Sequence, residues 1–143
     1  MEVEKFFAAG YGDSRRFMQT NVPTKKATGF TVAADDYMEW GIDLNEQLIN
    51  NKPATCFMRV TANSMTGAFI HEGDIVIVDR SLKAANGKIV IAVVDGEMLI
   101  RRFEQTMNRV RLIPETPKLS AIDVNEFSDC KIWGVVTYII KTA

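Results

Sequence analysis

The sequence predicts a mainly β fold, in which short strands form a curled sheet or distorted barrel with one short helix. Runs rich in β-branched residues recur from residue 54 onward, and turn residues separate them. Only one segment has helical character, which excludes a helical bundle. The predicted strands are 54–61, 75–79, 89–95, 98–103, 110–113 and 132–140.

Two tight turns support antiparallel pairing of these strands. Asp95-Gly96 lies between two strand-like runs, and a type I′ hairpin turn requires positive φ at both central residues. Asn86-Gly87 is predicted to form a second tight turn. The chain from 89 to 103 is therefore expected to be a hairpin.

The single helix is expected just after Asp43. Asp43 is a good N-cap, and Glu46 follows it at capping-box spacing. Leu44 and Leu48 share one helical face. The segment 50–53, which ends in proline, is expected to end the helix.

Residues 1–28 are predicted to be a flexible N-terminal arm, and residues 29–143 a single compact domain. Gly, Ser, Thr, Asn and Pro23 interrupt any sustained periodicity in the arm, although Phe6, Phe7 and Phe17 offer docking points. A chain of 143 residues accommodates one domain with a core but is short for two.

The composition is that of a soluble globular protein, with 47% hydrophobic and 24% charged residues. A net charge of -1 and a pI near 5.8 argue against direct nucleic-acid binding. No apolar run approaches the ~20 residues of a membrane span, and the first residues lack the order of a secretory signal. A cytoplasmic protein is expected.

Cysteine and histidine usage predicts no cofactor and no metal. Cys56 and Cys130 are interpreted as buried free thiols, because disulfides are rare in the cytoplasm. They are far apart in the chain, and His71 is the only histidine. These residues do not make a ligand cluster.

The motif that carries chemistry begins at Asn63-Ser64-Met65. Alone, a serine beside an asparagine is usually a turn or cap residue. Here Ile70 and Gly73-Asp74 follow, and then a strand, the Asn86-Gly87 turn and the Asp95-Gly96 hairpin. In order and spacing this chain resembles the LexA/UmuD family from about residue 29 to residue 141. The later segments 112–114 (Leu-Ile-Pro) and 132–136 (Ile-Trp-Gly-Val-Val) match as well.

The resemblance implies a self-cleaving peptidase with the fold of the LexA/UmuD C-terminal domain. Ser64 would be its nucleophile, and a buried lysine on the strand after the Asp-Gly hairpin would be the general base. Burial disfavours the ammonium form, so such a lysine can become neutral and accept the serine proton. Backbone N–H groups around Asn63 and Ser64 are expected to form the oxyanion hole.

The sequence departs from the family at the lysine position, which Arg101 occupies. Arginine stays protonated in proteins and cannot act as a base. Two interpretations remain open: Arg101 hydrogen-bonds Ser64 and holds the shape of the site, or it is a partly buried arginine paired with a carboxylate. His71 and Lys88 are both expected to be exposed and are weak substitutes for the base.

The scissile bond is a second departure. Family members cut an Ala-Gly or Cys-Gly bond in the arm, and the matching bond here is Thr28-Gly29. Threonine is β-branched and bulkier than alanine, so this bond is expected to be cut slowly even by an intact dyad. Together the two departures predict that self-cleavage is lost or impaired.

The resemblance implies a UmuD-like SOS-response protein, a homodimer that engages the RecA filament and a translesion DNA polymerase. Dimerisation is expected through the β domain, because the terminal strand 132–140 is apolar and is interpreted as a sheet edge. A LexA-type repressor is disfavoured, since 28 residues before the bond are too few for a helix-turn-helix domain. Two alternatives remain: an active autopeptidase that uses water or Lys88, and a non-catalytic interaction module.

Overall fold

The computed structural model describes residues 1–8 and 41–143 of the chain. Within these residues one α-helix, α1 (Leu44–Leu48), and two short 3₁₀ turns, Lys52–Ala54 and Thr66–Ala68, accompany the strands. The strands are β1 (Val3–Ala8), β2 (Thr55–Val60), β3 (Ile75–Asp79), β4 (Ile89–Val94), β5 (Glu97–Thr106), β6 (Arg109–Ile113), β7 (Ile122–Val124) and β8 (Cys130–Ile140).

The described strands form one antiparallel sheet in the order β1-β2-β3-β8-β4-β5-β6-β7. The sheet curls, so that the start of the chain meets β5 although four strands separate β1 from β5 in the sheet order. The backbone N–H of Glu2 donates to the carbonyl of Met98 at 2.8 Å. The mainly β, curled-sheet prediction is confirmed.

The predicted turns have the expected backbone geometry. Asp95 and Gly96 have φ values of 50° and 83°, which is the pair of positive values that a type I′ turn requires. Gly87 has φ 88°, and the N–H of Lys88 donates to the carbonyl of Ala85 at 3.0 Å. These turns set the β4–β5 register, in which Val90 lies opposite Arg101.

Helix α1 begins where the sequence predicts. The carboxylate of Asp43 accepts a hydrogen bond from the backbone N–H of Asn45 at 3.0 Å, which satisfies one of the free donors of the first turn. The helix spans five residues and ends before Ile49.

The core consists of two apolar clusters on the curled sheet. The first lies beneath the Ser64 loop and the second beneath the β4–β5–β6 end, and together they supply the burial that stabilises the sheet. The first contains Val3, Cys56, Met58, Val60, Met65, Ile70, Val76, Val78, Ile91 and Ile100, and the second contains Val90, Ala92, Phe103, Leu112 and Val135.

Three strand placements differ from the prediction. Strand β1 lies in the segment that was predicted to be an irregular arm, and it pairs with β2 with Val3 opposite Val60. Strand β7 was not predicted, because three residues are too short to show alternation. The interpretation of β8 as a sheet edge was wrong: β8 pairs with both β3 and β4.

The flexibility of the arm and the domain boundary stay predictions. Residues 9–40, which include Phe17, Thr28 and Gly29, lie outside the described residues. Among the described residues, no helix is long and apolar enough to cross a membrane.

Both cysteines are free thiols, as expected. Cys56 is buried, whereas Cys130 is only half-buried, so the prediction that both are buried was wrong for Cys130. Burial raises the pKa of both thiols, although Lys5 and Arg80 oppose this effect at Cys56. Both are therefore poor nucleophiles near neutral pH.

Candidate functional site

Ser64 lies in the loop between β2 and the 3₁₀ turn Thr66–Ala68, and only 2% of its surface is exposed. Its carbonyl accepts a hydrogen bond from the N–H of Glu115 at 3.0 Å, and the N–H of Gly67 donates to the carbonyl of Glu115 at 2.8 Å. A Cβ on Gly67 would come within 2.9 Å of that carbonyl oxygen. The close approach of the two backbones thus requires glycine and fixes the loop.

Arg102 reinforces this attachment from the side. Its Nε donates to the Glu115 carboxylate at 2.5 Å, and its Nη1 donates to the carbonyl of Gly87 at 2.7 Å. Arg102 therefore joins β5, the segment after β6 and the turn before β4. Its role is to position the Ser64 loop through Glu115.

Asn63 organises the other side of the loop. Its side-chain oxygen accepts a hydrogen bond from the N–H of Glu72 at 2.9 Å. The carbonyl of Met65 accepts from the N–H groups of Ala68 and Ile70 at 3.0 and 3.1 Å. The oxyanion role predicted for the backbone of Asn63 and Ser64 stays a prediction.

Arg101 is buried in β5, with 4% of its surface exposed. Its Nη1 donates to the carbonyl of Ile100 at 2.8 Å and to the carboxylate of Glu2. Its Nε is buried and has no hydrogen-bond partner among the described residues. A buried guanidinium is stable only when it is paired, so Glu2 is essential to this arrangement.

Glu2 brings Ser64 and Arg101 together. One oxygen, Oε1, accepts hydrogen bonds from the Ser64 hydroxyl at 2.9 Å, from the backbone N–H of Ile100 at 3.2 Å and from Arg101. Of the two interpretations of Arg101, pairing with a carboxylate is the one observed, and the contact with Ser64 runs through that carboxylate.

Sequence reasoning missed Glu2. The residue is 62 positions from Ser64 and 99 from Arg101, so no local pattern links them. A weak signal was present: a buried arginine needs an acidic partner, and the apolar residues 3, 6 and 7 around Glu2 favour a strand.

The two alternative bases are not part of this cluster. Lys88 is exposed beside the Asn86-Gly87 turn. His71 is also exposed, and its Nδ1 lies 3.2 Å from the Nζ of Lys141. Neither has a hydrogen bond to Ser64 in the described part of the chain.

His71 instead belongs to a small ionic cluster at the end of β8. Its backbone N–H donates to Asp74 Oδ2 at 2.8 Å, and Lys141 forms an ion pair with the same oxygen. Burial alone would raise the pKa of Asp74, but the hydrogen bonds from Lys141 and His71 outweigh burial and lower that pKa. This cluster anchors the loop that follows Ser64.

Comparisons with known proteins match most of the chain. A family model described as Peptidase S24-like matches residues 21–137. Protein SamA of Salmonella typhimurium is 39% identical over 115 residues, which are 80% of this chain and 79% of SamA. Protein MucA of Escherichia coli is 34% identical over 113 residues, 78% of this chain and 77% of MucA. LexA repressor 1 of Xanthomonas campestris is 36% identical over 115 residues, 80% of this chain and 57% of that repressor.

The matched region spans the Ser64 loop, β5 with Arg101, and most of β8. The order of motifs, the curled sheet and these similarities agree with one another. The chain belongs to the Peptidase S24-like family, and within it to the UmuD-like proteins of the LexA/UmuD group.

Proposed function

We propose that this chain is a UmuD-like SOS-response protein that partners a translesion DNA polymerase, and that self-cleavage of its N-terminal arm is impaired. Family membership supports the general role in SOS mutagenesis. The arrangement around Ser64 supports the impairment. A homodimer and a RecA filament as partners belong to the same proposal.

The observation that carries the proposal is that no group able to accept the proton of the Ser64 hydroxyl lies at the position expected for the base. Cleavage of Thr28-Gly29 needs Ser64 Oγ to attack the carbonyl carbon of Thr28 while a base takes the hydroxyl proton and later gives it to the Gly29 nitrogen. Arg101, at the lysine position, cannot take that proton. The transfer of the Ser64 proton therefore lacks a general base at the expected position.

Glu2 does not replace the missing base. Its Oε1 already accepts three donors, whereas a carboxylate oxygen offers about two lone-pair sites. Glu2 holds Ser64 in place and is a poor acceptor for its proton.

A non-catalytic interaction module is the second candidate. The same contacts favour it, because Glu2 binds both Ser64 and Arg101 and stabilises the loop without any reaction. The described surface also carries exposed apolar residues on β8 that suit a protein partner, namely Ile132, Tyr138, Ile139 and Ile140.

The proposal is tested by incubating the purified protein at alkaline pH with and without RecA filaments, and by searching for a fragment that begins at Gly29. We expect the protein to bind the filaments, in a co-sedimentation assay, while releasing little fragment. A Ser64→Ala variant serves as the control for non-enzymatic breakage. Rapid RecA-stimulated release that depends on Ser64 would contradict impairment, and absence of filament binding would contradict the proposed partner.

A further inference from the structure

We propose that Ser64, the Ile100 N–H and Arg101 form a carboxylate-binding pocket, and that its ligand is Glu2 on the chain's own first strand. Three donors of different kinds converge there on one carboxylate oxygen, at 2.9 Å from Ser64, 3.2 Å from Ile100 and in direct contact with Arg101. Convergent donors of this kind characterise sites that recognise acidic groups.

The burial of the pocket strengthens the assignment. The side chain of Arg101 is 5% exposed and that of Glu2 is 14% exposed. A charge this far from water must be compensated, and Glu2 is the acidic side chain that contacts Arg101 in the described structure. The Nε of Arg101 is buried and has no hydrogen-bond partner among the described residues, so the guanidinium has few acceptors and depends on Glu2.

The backbone around Glu2 is also bound by hydrogen bonds. The N–H of Glu2 donates to Met98, the carbonyl of Glu2 accepts from the N–H of Thr61, and both distances are 2.8 Å. The hydroxyl of Thr61 donates to the carbonyl of Met1 at 3.1 Å, and Val3 is fully buried. An extended peptide with main-chain pairing and one specific side-chain pocket is the pattern of β-strand addition.

The occupied groove has a consequence for cleavage, and this step rests on the proposed function. Glu2 fills the slot between Thr61 and Met98, beside Ser64. A scissile segment that presents its carbonyl to Ser64 must enter the same slot. The segment 1–8 therefore competes with Thr28-Gly29 for the groove, and Glu2 is the residue that holds it there.

The pocket is tested by hydrogen–deuterium exchange of the β1 amides in the full-length protein. Glu2→Gln removes the charge at nearly constant size, and we expect exchange of residues 3–8 to rise roughly 10- to 100-fold, the range for loss of charged hydrogen bonds. Glu4→Gln is the matched control, because it makes the same chemical change on the same strand at a position that is exposed. Equal exchange in the two variants would overturn the proposal.

A second comparison separates the pocket from the proposed function. In an Arg101→Lys background, adding Glu2→Gln should speed release of the fragment that begins at Gly29, and adding Glu4→Gln should not. An unchanged rate after Glu2→Gln would overturn the competition between the two segments. If Arg101→Lys does not cleave at all, the missing base is not the sole cause of the impaired cleavage and the interaction-module alternative is favoured, while the exchange experiment still decides whether the pocket exists.

Discussion

At the residue scale, the motif spacing predicted Ser64 and Arg101, and the structure brings both to one site through Glu2. The spacing succeeds because the two residues lie on segments whose order along the chain is recognisable. Glu2 was not predictable in the same way, since its role exists only after the sheet has curled. Thr28 and Gly29 lie outside the described residues, so the cleavage site stays a prediction.

The lowered pKa of Asp74 predicts a specific pH dependence of stability. A carboxyl group with a lowered pKa stabilises the fold above its unfolded pKa, and this contribution is lost as the pH falls through the folded value. Replacing Asp74 by Asn should reduce the free energy of unfolding at neutral pH by about 1–2 kcal/mol, a modest value because Lys141 is partly exposed.

The measurement is urea unfolding of both proteins at neutral and acidic pH. The difference should begin to close near the ordinary aspartate pKa of 3.8, where the unfolded chain becomes protonated, and should vanish below the lower pKa of Asp74 in the folded protein. A difference that persists unchanged at low pH would show that the ion pair with Lys141 is not its source.

At the element scale, local patterns predicted β2 to β6 and α1, because alternation, turn residues and a cap are all encoded within a few positions. The position of β8 was not predictable. It lies between β3 and β4, and neither is its neighbour in the chain. Pairing between distant segments depends on the whole sheet, which explains why the predicted edge was wrong.

Gly134 explains how closely β8 approaches β3. A Cβ at Gly134 would lie 2.6 Å from Cγ1 of Val78, which is fully buried. Gly134→Ala should therefore lower the free energy of unfolding by about 1–3 kcal/mol through overpacking.

The control compares Val78→Ala alone with the double variant that carries both Gly134→Ala and Val78→Ala. Val78→Ala alone removes core volume and also destabilises the protein, but the double variant should be more stable than the sum of the two effects predicts. Simple additivity in thermal unfolding would contradict the proposed clash.

At the scale of the whole molecule, the curl of the sheet places residues 2, 64 and 101 side by side. The sequence predicted a curled sheet but not which strands the curl would bring together. The first strand contacts β5 only because the sheet bends back on itself. The site is therefore a property of the complete fold rather than of one loop.

The exposed apolar residues of β8 predict self-association. Tyr138→Lys should shift a dimer toward monomer in sedimentation analysis at micromolar concentration, because it places a charge in an apolar contact. Met107→Lys is the control, since Met107 is 97% exposed in the β5–β6 turn, away from β8. A wild-type protein that sediments only as monomer would contradict the dimer, and equal effects of both substitutions would contradict its location on β8.

The most direct test of the account is the rate at which the fragment beginning at Gly29 appears after Arg101→Lys. The account predicts that the unmodified protein is cut at least about 10²-fold more slowly than this variant, the usual effect of losing a general base. Thr28→Ala added to Arg101→Lys should increase the rate further, and Ser64→Ala added to it should abolish cutting. If the unmodified protein is cut as fast as the Arg101→Lys variant, Arg101 does not occupy the position of the base and the central claim is wrong.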